Sequence, residues 1–514
     1  MSTTNLTLGI DIGTQSLKIG LYTVKGDLVA AEQEGFFTYY ESGGRTEQDP
    51  HDWWNALQLC LNRAGEKVDL TAVKAVAMCA TSSTVVLTDK NVQPLTRALC
   101  WMDQRSVKEE ESINHNQDEW VKEVLKYSGG KVSVEWMVTK ALWIKNNYDL
   151  DGKYILEQLD WMNYQLTDTL AASQCNASCK WNYVGILDGF STTFFERIGL
   201  EGIQEVWPKQ VRRVGDQVGK ISTSAASALG LVEGTPVYQG GIDAHIGMIG
   251  SQALEPGNLC MITGTSFVHL VHHDEPVFQD GLWGPYDSPI IDGHWLLEGG
   301  QLSCGSTVSW FLKEFYSDRK DYDELFQELE QAAEQMEIGS HGLIAMDSWQ
   351  GNRTPYRDPY ASGAFIGLTS AHTKQHIYRA ILESIAFGTK NVMETFKEAG
   401  VPIHRLIAGG GLIKNRLLMQ MISDMTQLPI YTTDSNETGA KGSAIIAAYG
   451  MGAYASLTEA SKQMVQVKLS FQPNPDHYDD YLRVFKLYLS INESLRPFMK
   501  TLRLGKEDVH ECLA

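Results

Sequence analysis

The feature that most constrains this chain is a short apolar strand followed by a Gly-Thr turn, which occurs twice. Residues 6–14 read LTLGIDIGT and residues 259–265 read LCMITGT, so one turn stands near the start of each half. Such a turn leaves backbone N–H groups free to bind an anion, although a single turn is also typical of an ordinary β-hairpin. Two turns at corresponding places predict two halves of similar fold, each presenting a phosphate-facing turn to a shared cleft.

The length of the chain supports this division. At 514 residues it is too long for one hydrophobic core, so two large domains with a cleft between them are expected. We place them at residues 1–250 and 251–514. Hydrophobic residues make up 43% of the chain and charged residues 21%, values ordinary for a folded protein, so we expect globular structure throughout.

The net charge is strongly negative, at −20, with 63 acidic against 43 basic residues. Nucleic-acid surfaces need clusters of Lys and Arg, so we expect no nucleic-acid partner. A nucleotide remains compatible with this charge, because backbone amides can hold its phosphates. The first residues, MSTTNLTLGI, lack the regions of a signal peptide, and no apolar run is long enough to span a bilayer. We therefore expect a cytoplasmic protein with no membrane partner.

The cysteines do not predict a metal site. Of the eight, at positions 60, 79, 100, 175, 179, 260, 304 and 512, only Cys175 and Cys179 lie close together in sequence. There is no second pair and no matching cluster of histidines, so buried free thiols are favoured over zinc.

Polar and glycine-rich segments supply candidate functional residues. Asp11 and the polar side chains after Gly13 suit a hydrated Mg²⁺ and the phosphate that carries it. In GGIDAHIG (240–247), Asp243 heads a predicted helix, as its N-cap or as a functional carboxylate. In AGGGLIKN (408–415), glycine backbone preceding a helix could approach a planar base that Asn415 reads, or it could serve close strand–helix packing. The Gly-x-Gly-x-x-Gly spacing of a dinucleotide site is missing.

Seven motifs in order resemble those of the FGGY carbohydrate kinases, members of the actin-like and hexokinase-like ATPase superfamily. They are GIDIGTQS (9–16), WMDQRS (101–106), GGIDAHIG (240–247), GTS (264–266), EGGQLSCG (298–305), GNRTPYRDP (351–359) and AGGGLIKN (408–415). The resemblance spans nearly the whole chain. It implies an α/β fold of two actin-like, ribonuclease-H-like domains with the active site in the cleft between them. It also implies that residues 1–250 hold mainly the sugar and residues 251–514 mainly ATP.

The resemblance also implies roles for individual residues. Asp243 matches the general base that takes the proton of the attacking sugar hydroxyl. Asp11 and Asp243 match positions near Mg²⁺, reached through water. The nucleotide-side positions are Asp11, Gly13, Thr14, Gln15, Gly264, Thr265, Gly305, Ser309, Gly411 and Asn415. The sugar-side positions are Ala80, Thr81, Asp103, Lys180, Asp243 and Glu298. The expected ligands are ATP, Mg²⁺ and a small sugar.

Residues 78–89, MCATSSTVVLTD, separate the substrate classes within the family. Glycerol kinases carry Arg-Glu where this chain has Thr81-Ser82, and xylulokinases carry Gln-Met-His where it has Cys79-Ala80-Thr81. Ribulokinases carry Asp-Ala-Thr-Cys-Ser, which is nearer to Cys-Ala-Thr-Ser-Ser here. The segments ASCKWNY (177–183), GLWGPYDSPI (281–290) and EGGQ (298–301) also resemble ribulokinases, whose ketose-binding Lys and Glu correspond to Lys180 and Glu298. The resemblance implies a ketopentose of ribulose type.

Other functions stay open at the level of sequence. Xylulose is one alternative substrate, and a four-carbon polyol or ketose such as erythritol or erythrulose is another. A sugar or nucleotide sensor without catalysis is a different class on the same fold. Because a sensor could dispense with the base, the presence of Asp243 and of both Gly-Thr turns favours an enzyme. The oligomeric state is open, with a homodimer as one expectation.

Overall fold

Strands and helices alternate along residues 5–435 and 437–504, which a computed structural model describes. The strands are β1 (Leu6–Ile12), β2 (Ser16–Thr23), β3 (Leu28–Gly35), β4 (Tyr39–Glu41), β5 (Arg45–Gln48), β6 (Val73–Ala80), β7 (Val85–Asp89), β8 (Ala98–Leu99), β9 (Lys153–Glu157), β10 (Ala172–Ser173), β11 (Val211–Arg212), β12 (Gln217–Lys220), β13 (Pro236–Tyr238), β14 (Asn258–Thr263), β15 (Phe267–His273), β16 (Trp283–Asp287), β17 (Trp295–Gln301), β18 (Ile344–Ala345), β19 (Phe365–Ile366), β20 (Arg405–Gly409), β21 (Ile430–Thr433) and β22 (Val467–Phe471).

The helices have lengths from six to 27 residues. They are α1 (Pro50–Gly65), α2 (Val107–Asn114), α3 (Glu119–Lys126), α4 (Met137–Asn147), α5 (Gln158–Thr167), α6 (Gln174–Lys180), α7 (Thr192–Arg197), α8 (Thr223–Leu229), α9 (Asp243–Gly250), α10 (Gly305–Phe315), α11 (Tyr322–Glu334), α12 (Lys374–Glu398), α13 (Arg416–Thr426), α14 (Thr438–Gly450), α15 (Leu457–Met464) and α16 (Tyr478–Leu504). In the part of the chain that the structure describes, no helix combines the length and apolar character needed to cross a bilayer.

The first half is built on a six-stranded sheet in the order β12-β13-β6-β1-β2-β3. Its centre is parallel, because β6 pairs in the same direction with β1 and with β13. The antiparallel strands β2 and β3 extend it on one side. Since β1 and β6 are buried on both faces, their sequences are almost continuously apolar, as expected for central parallel strands.

The second half repeats this arrangement in a seven-stranded sheet, in the order β16-β17-β15-β14-β20-β21-β22. Here β14 is the first strand of the sheet in chain order. On one side of β14, β15 and β17 follow with antiparallel pairing, and on its other side β20 and β21 follow with parallel pairing. The two sheets therefore share strand order and strand direction. The prediction of two halves of like α/β fold is confirmed.

Glycines allow α9 and α14 to pack closely where the two halves meet. A Cβ atom at Gly250 would lie 2.0 Å from the carbonyl oxygen of Thr438, and one at Gly442 would lie 2.2 Å from that of Ile246. On the opposite side of α14, a Cβ atom at Gly9 would lie 1.9 Å from the Ala440 carbonyl oxygen. Only glycine permits these approaches. A helix of the second half is thus seated directly on the central sheet of the first.

Residues 81–235, inserted between β6 and β13, supply one wall of the cleft between the halves. They contain α2 to α8 and the strands β7, β8 and β9. These three strands join β4 and β5, which come earlier in the chain, in a second sheet with the order β4-β5-β8-β7-β9. Lys140 on α4 is fully buried, and its ammonium group donates hydrogen bonds to the carbonyl oxygens of Ser83, Cys100 and Trp101. One buried cation therefore ties together the loops that follow β6 and β8.

Candidate active site

The site lies at the carboxyl ends of the parallel strands, where ligands bind in open α/β sheets. The Gly13-Thr14 turn follows β1, Ala80 ends β6, and Asp243 begins the helix after β13. Backbone hydrogen bonds hold these ends together: the Thr81 N–H donates to the Ile12 carbonyl, and the Ala80 N–H donates to the Gly241 carbonyl. Residues far apart in sequence thus reach one edge of the sheet.

A cavity of about 830 Å³ opens at this edge and is lined by both halves of the chain. It brings together seven of the residues predicted from sequence: Thr14, Thr81, Lys180 and Asp243 from the first half, with Gly264, Thr265 and Glu298 from the second. The predicted interdomain cleft is therefore present, and both Gly-Thr turns face it.

Asp243 is the first residue of α9, and its N-cap is Ile242. The N-cap interpretation of Asp243 is therefore wrong by one position, since the helical backbone already includes it. One carboxylate oxygen accepts a hydrogen bond of 2.7 Å from the Ala244 N–H, and the side chain lines the cavity. Burial raises the pKa of Asp243 to about 7, and the nearby negative charge of Asp11 adds to the shift. A carboxylate with a pKa near neutrality is suited to general base catalysis.

Asp11 lies at the end of β1, beneath the first turn. Burial raises its pKa to about 6, while the positive charge of Lys18 opposes the shift. The Cys79 thiol, on the neighbouring strand β6, donates a hydrogen bond of 3.4 Å to the Asp11 carboxylate. The Asp11 carboxylate also lies close enough to Asp243 for its negative charge to raise the pKa of Asp243.

The two Gly-Thr turns are closed in similar ways, although the second hydrogen-bonded turn is one residue shorter. In each, the glycine N–H donates a 3.0 Å hydrogen bond within the turn, from Gly13 to the Ser16 carbonyl and from Gly264 to the Ser266 carbonyl. Thr14 is fixed from outside, because the Trp101 indole donates to its hydroxyl and the Gln48 amide donates to its carbonyl. Gln15, also predicted to contact nucleotide, is exposed beside this turn.

Helix α10 begins against the second turn. The N–H of its first residue, Gly305, donates to the Gly264 carbonyl at 3.0 Å, and a Cβ atom there would lie 2.5 Å from that oxygen. Glycine is thus required where the helix meets the turn. Ser309 lies one turn further along α10 and is exposed. An anion bound at the turn would also meet the positive end of this helix dipole.

The third glycine segment packs against β14. Gly410 has a φ of +98°, and a Cβ atom there would lie 2.1 Å from the Thr263 carbonyl oxygen, so the packing interpretation is confirmed for Gly410. Gly411 is exposed. Asn415 is the N-cap of α13: its side-chain oxygen accepts from the Leu418 N–H, and its amide donates to the Tyr378 hydroxyl. A contact of Gly411 or Asn415 with adenine stays a prediction.

The sugar-side residues are organised around Glu298 on β17. Its carboxylate lies 3.5 Å from the Lys180 ammonium group and 3.7 Å from Nε2 of His245. Burial would raise the pKa of Glu298, but the charges of Lys180 and His245 outweigh burial and hold the pKa well below its usual range. Lys180 ends α6 and also lies 5.1 Å from the centre of the Trp136 ring. It is therefore a partly buried partner of Glu298, not a solvated surface charge.

The structure does not bring Asp103 to the cavity. Its carboxylate is fully buried and accepts hydrogen bonds from the Arg105 guanidinium group, the Arg105 N–H and the Thr46 N–H. Because both oxygens are already bonded within the protein, this placement corrects the predicted sugar contact. Ala80 is likewise fully buried at the end of β6, whereas Thr81 beside it lines the cavity.

Several cavity residues were not singled out from the sequence. They are chiefly Trp136, His245, Trp283, Arg353 and Arg357. His245, Trp283 and the two arginines fall inside segments quoted above, so those segments were the available signal, while nothing local distinguishes Trp136. The Arg353 guanidinium group lies 3.4 Å from the Glu135 carboxylate and joins the two halves across the cleft.

Solved structures define the class to which this fold belongs. The gluconate kinase from Lactobacillus acidophilus superposes with a TM-score of 0.86 at 22% identity, covering 96% of this chain and 98% of its own. The xylulose kinase from Rhodospirillum rubrum gives a TM-score of 0.85 at 21% identity, covering 97% and 100%. The architecture is that of the two-domain sugar kinases.

Sequence comparison gives the family. Models of the N-terminal and C-terminal domains of the FGGY family of carbohydrate kinases match residues 6–250 and 259–451. The ribulokinase of Shouchella clausii is 30% identical over 97% of this chain and 97% of its own length. A Xenopus laevis protein described as an FGGY carbohydrate kinase domain-containing protein is 30% identical, covering 96% and 97%. The chain belongs to the FGGY family of carbohydrate kinases, which confirms the predicted kinase class.

Proposed function

We propose that this kinase transfers the γ-phosphate of ATP to a hydroxyl of a ketopentose of ribulose type, with Asp243 as the general base. The observation that carries the proposal is that one cavity contains Asp243, the largely buried Lys180–Glu298 pair and residues of both Gly-Thr turns. A donor and an acceptor held together can select a pattern of sugar hydroxyls. The turns can orient phosphate groups opposite them.

The residues present fit Mg²⁺ and nucleotide phosphates. Burial raises the pKa values of two neighbouring carboxylates, Asp11 and Asp243, and the negative charge of Asp11 raises that of Asp243 further. A hard divalent cation with oxygen ligands would relieve this repulsion, and these two side chains would hold it through water. When bound, Mg²⁺ neutralises phosphate charge during transfer.

The residues of the chain then have separate tasks. Asp243 accepts the proton of the sugar hydroxyl as that oxygen attacks the γ-phosphorus. Lys180 and Glu298 fix the sugar, and the turns at Gly13 and Gly264 align the phosphates. Reaction within such a preorganised arrangement avoids much of the entropic cost of bringing the two substrates together.

We also propose that residues 1–250 contribute most of the sugar site and residues 251–514 most of the ATP site. Lys180, Thr81 and Asp243 support the first assignment, and the Gly264 turn with α10 supports the second. Glu298 is an exception, because it lies on β17 in the second half yet pairs with Lys180. The sugar site is thus shared across the cleft.

The environment of Cys79 is compatible with a ketopentose of ribulose type. Its position is where ribulokinases carry Asp, so the change could have altered sugar contacts. In the structure Cys79 is fully buried, donates to Asp11 and is absent from the residues that line the cavity. The substitution therefore changes the surroundings of Asp11 and leaves the Lys180–Glu298 pair in place.

A comparison of substrates tests the proposal. Steady-state kcat/KM would be measured by coupled ADP detection for ribulose, xylulose, erythrulose, erythritol and glycerol. We expect ribulose to rank first and the shorter polyols to react poorly, because missing hydroxyls leave buried charged groups without partners. A preference for glycerol or a four-carbon substrate would contradict the ketopentose assignment while leaving the kinase class intact.

A further inference from the structure

Two cysteines and a histidine form a buried cluster behind the sugar site. Cys175 and Cys179 lie one turn apart on α6, so their side chains share a helix face, and His245 on α9 meets them there. All three are buried, and their potential ligand atoms lie within 4.8 Å of one another. The sequence offered no histidine near this cysteine pair. The fold brings one from 66 residues further along the chain.

We propose that Cys175, Cys179 and His245 bind one thiophilic divalent metal ion, of which Zn²⁺ is the expected example. Nδ1 of His245 lies 3.4 Å from the Cys175 sulfur and 3.7 Å from the Cys179 sulfur. With Zn–S bonds of about 2.3 Å and Zn–N bonds of about 2.0–2.1 Å, ligand atoms of a tetrahedral site are separated by roughly 3.5–3.8 Å. The three side chains therefore need little movement to bind.

The surrounding structure makes room for this cluster. Gly241 packs against Cys175, and a Cβ atom at position 241 would lie 2.7 Å from the cysteine sulfur. His245 lines the cleft cavity, which gives an ion a route to the buried thiols. Three protein ligands leave a fourth position for water, as in many zinc sites that are not purely structural.

The second ring nitrogen of His245 strengthens the case. While Nδ1 faces the thiols, Nε2 faces the Glu298 carboxylate at 3.7 Å. A histidine that binds metal through one nitrogen commonly directs the other to a carboxylate, which fixes the ring and raises its basicity. Metal binding would thus hold both His245 and the Glu298 carboxylate in position.

The donor set identifies the kind of ion. Two sulfurs and an imidazole suit Zn²⁺ and other soft or borderline ions, whereas Mg²⁺ and Ca²⁺ prefer oxygen ligands. The ion would therefore be distinct from the Mg²⁺ that accompanies ATP. Its presence does not depend on which sugar is phosphorylated.

Metal analysis of the full-length protein tests the site. The protein would be purified without a histidine tag, and its zinc content would be measured by mass spectrometry before and after chelation. Co²⁺ would then be added to the chelated protein. We expect about one zinc per chain, and a Co²⁺ spectrum with thiolate charge-transfer and tetrahedral d–d bands.

Variants separate this site from adventitious binding. The double variant Cys175→Ser/Cys179→Ser should lose the zinc and the thiolate band, whereas Cys260→Ser, at another buried cysteine on β14, should keep both. Glu298→Gln should weaken Co²⁺ binding by about 10–100-fold, as expected for a partner of a metal-binding histidine.

Circular dichroism checks that each variant is folded. If the double variant does not fold, zinc content and the Co²⁺ spectrum would instead be compared between His245→Gln and the wild-type protein. Zinc well below one per chain together with a Co²⁺ spectrum that lacks the thiolate band would overturn the proposal. Metal retained equally in the double variant would also overturn it.

Discussion

Replacing Asp243 by Asn should lower kcat by about 10²–10⁴-fold, the usual contribution of a general base. The amide has nearly the same shape but cannot accept the proton of the attacking hydroxyl. Asp243 occupies the first position of α9, where its oxygen accepts from the Ala244 N–H, and an Asn side-chain oxygen can keep that bond. The fold and the phosphate turns should therefore be unchanged. Steady-state kinetics and calorimetric titration with nucleotide would measure the two effects separately.

Asp52→Asn is a matched control for this substitution. Asp52 also lies in the first turn of a helix, α1, burial also raises its pKa, and it is not among the residues lining the cavity. Its replacement should leave kcat within about twofold, as expected for a change away from the reacting groups. Near-normal turnover in Asp243→Asn would contradict the assignment of the base. A loss of nucleotide binding in that variant would indicate a wider structural defect.

Replacing Lys180 by Met should raise KM for the ketopentose by about 10–100-fold and change KM for ATP far less. Methionine keeps much of the length but removes the donor, leaving Glu298 beside one cation fewer. A buried charged group that loses its partner costs about 1–3 kcal/mol or more, which corresponds to this range. The separation of the two KM values is the informative readout, because general destabilisation would affect both.

Lys209→Met is the corresponding control. Lys209 also pairs with a glutamate, Glu205, but both side chains are exposed, at 60% and 81%. Exposed pairs contribute little, so this variant should behave as wild type. An unchanged sugar KM in Lys180→Met, or an equal rise in both KM values, would contradict the assignment of Lys180 to the sugar site.

The division into two like halves could be predicted from sequence because it rests on local signals. The strand and turn at residues 6–14 and 259–265 involve consecutive residues, and each becomes the first strand in chain order of a central sheet, followed by a turn at the cavity. Asp243 could be singled out for the same reason, since it lies two residues after a glycine pair that follows a strand.

Other features depended on contacts that the sequence does not show. His245 meets Cys175 only because α6 and α9 come together in the fold. Asp103 appeared available for sugar, yet Arg105, two residues further on, folds back and occupies its carboxylate. Asn415 begins a helix, and in the structure its oxygen satisfies the helix N-terminus, a use that its position could have indicated.

The central claim is that the cleft transfers the γ-phosphoryl group of ATP to a ketopentose hydroxyl. Phosphorus NMR of the wild-type enzyme with ATP, Mg²⁺ and ribulose tests it most directly, because it identifies the product that receives the phosphate. We predict a sugar phosphate ester and ADP in equal amounts, with neither formed when ribulose or Mg²⁺ is omitted. Formation of ADP with inorganic phosphate and no sugar ester, or no turnover of ATP with ribulose, would contradict the claim.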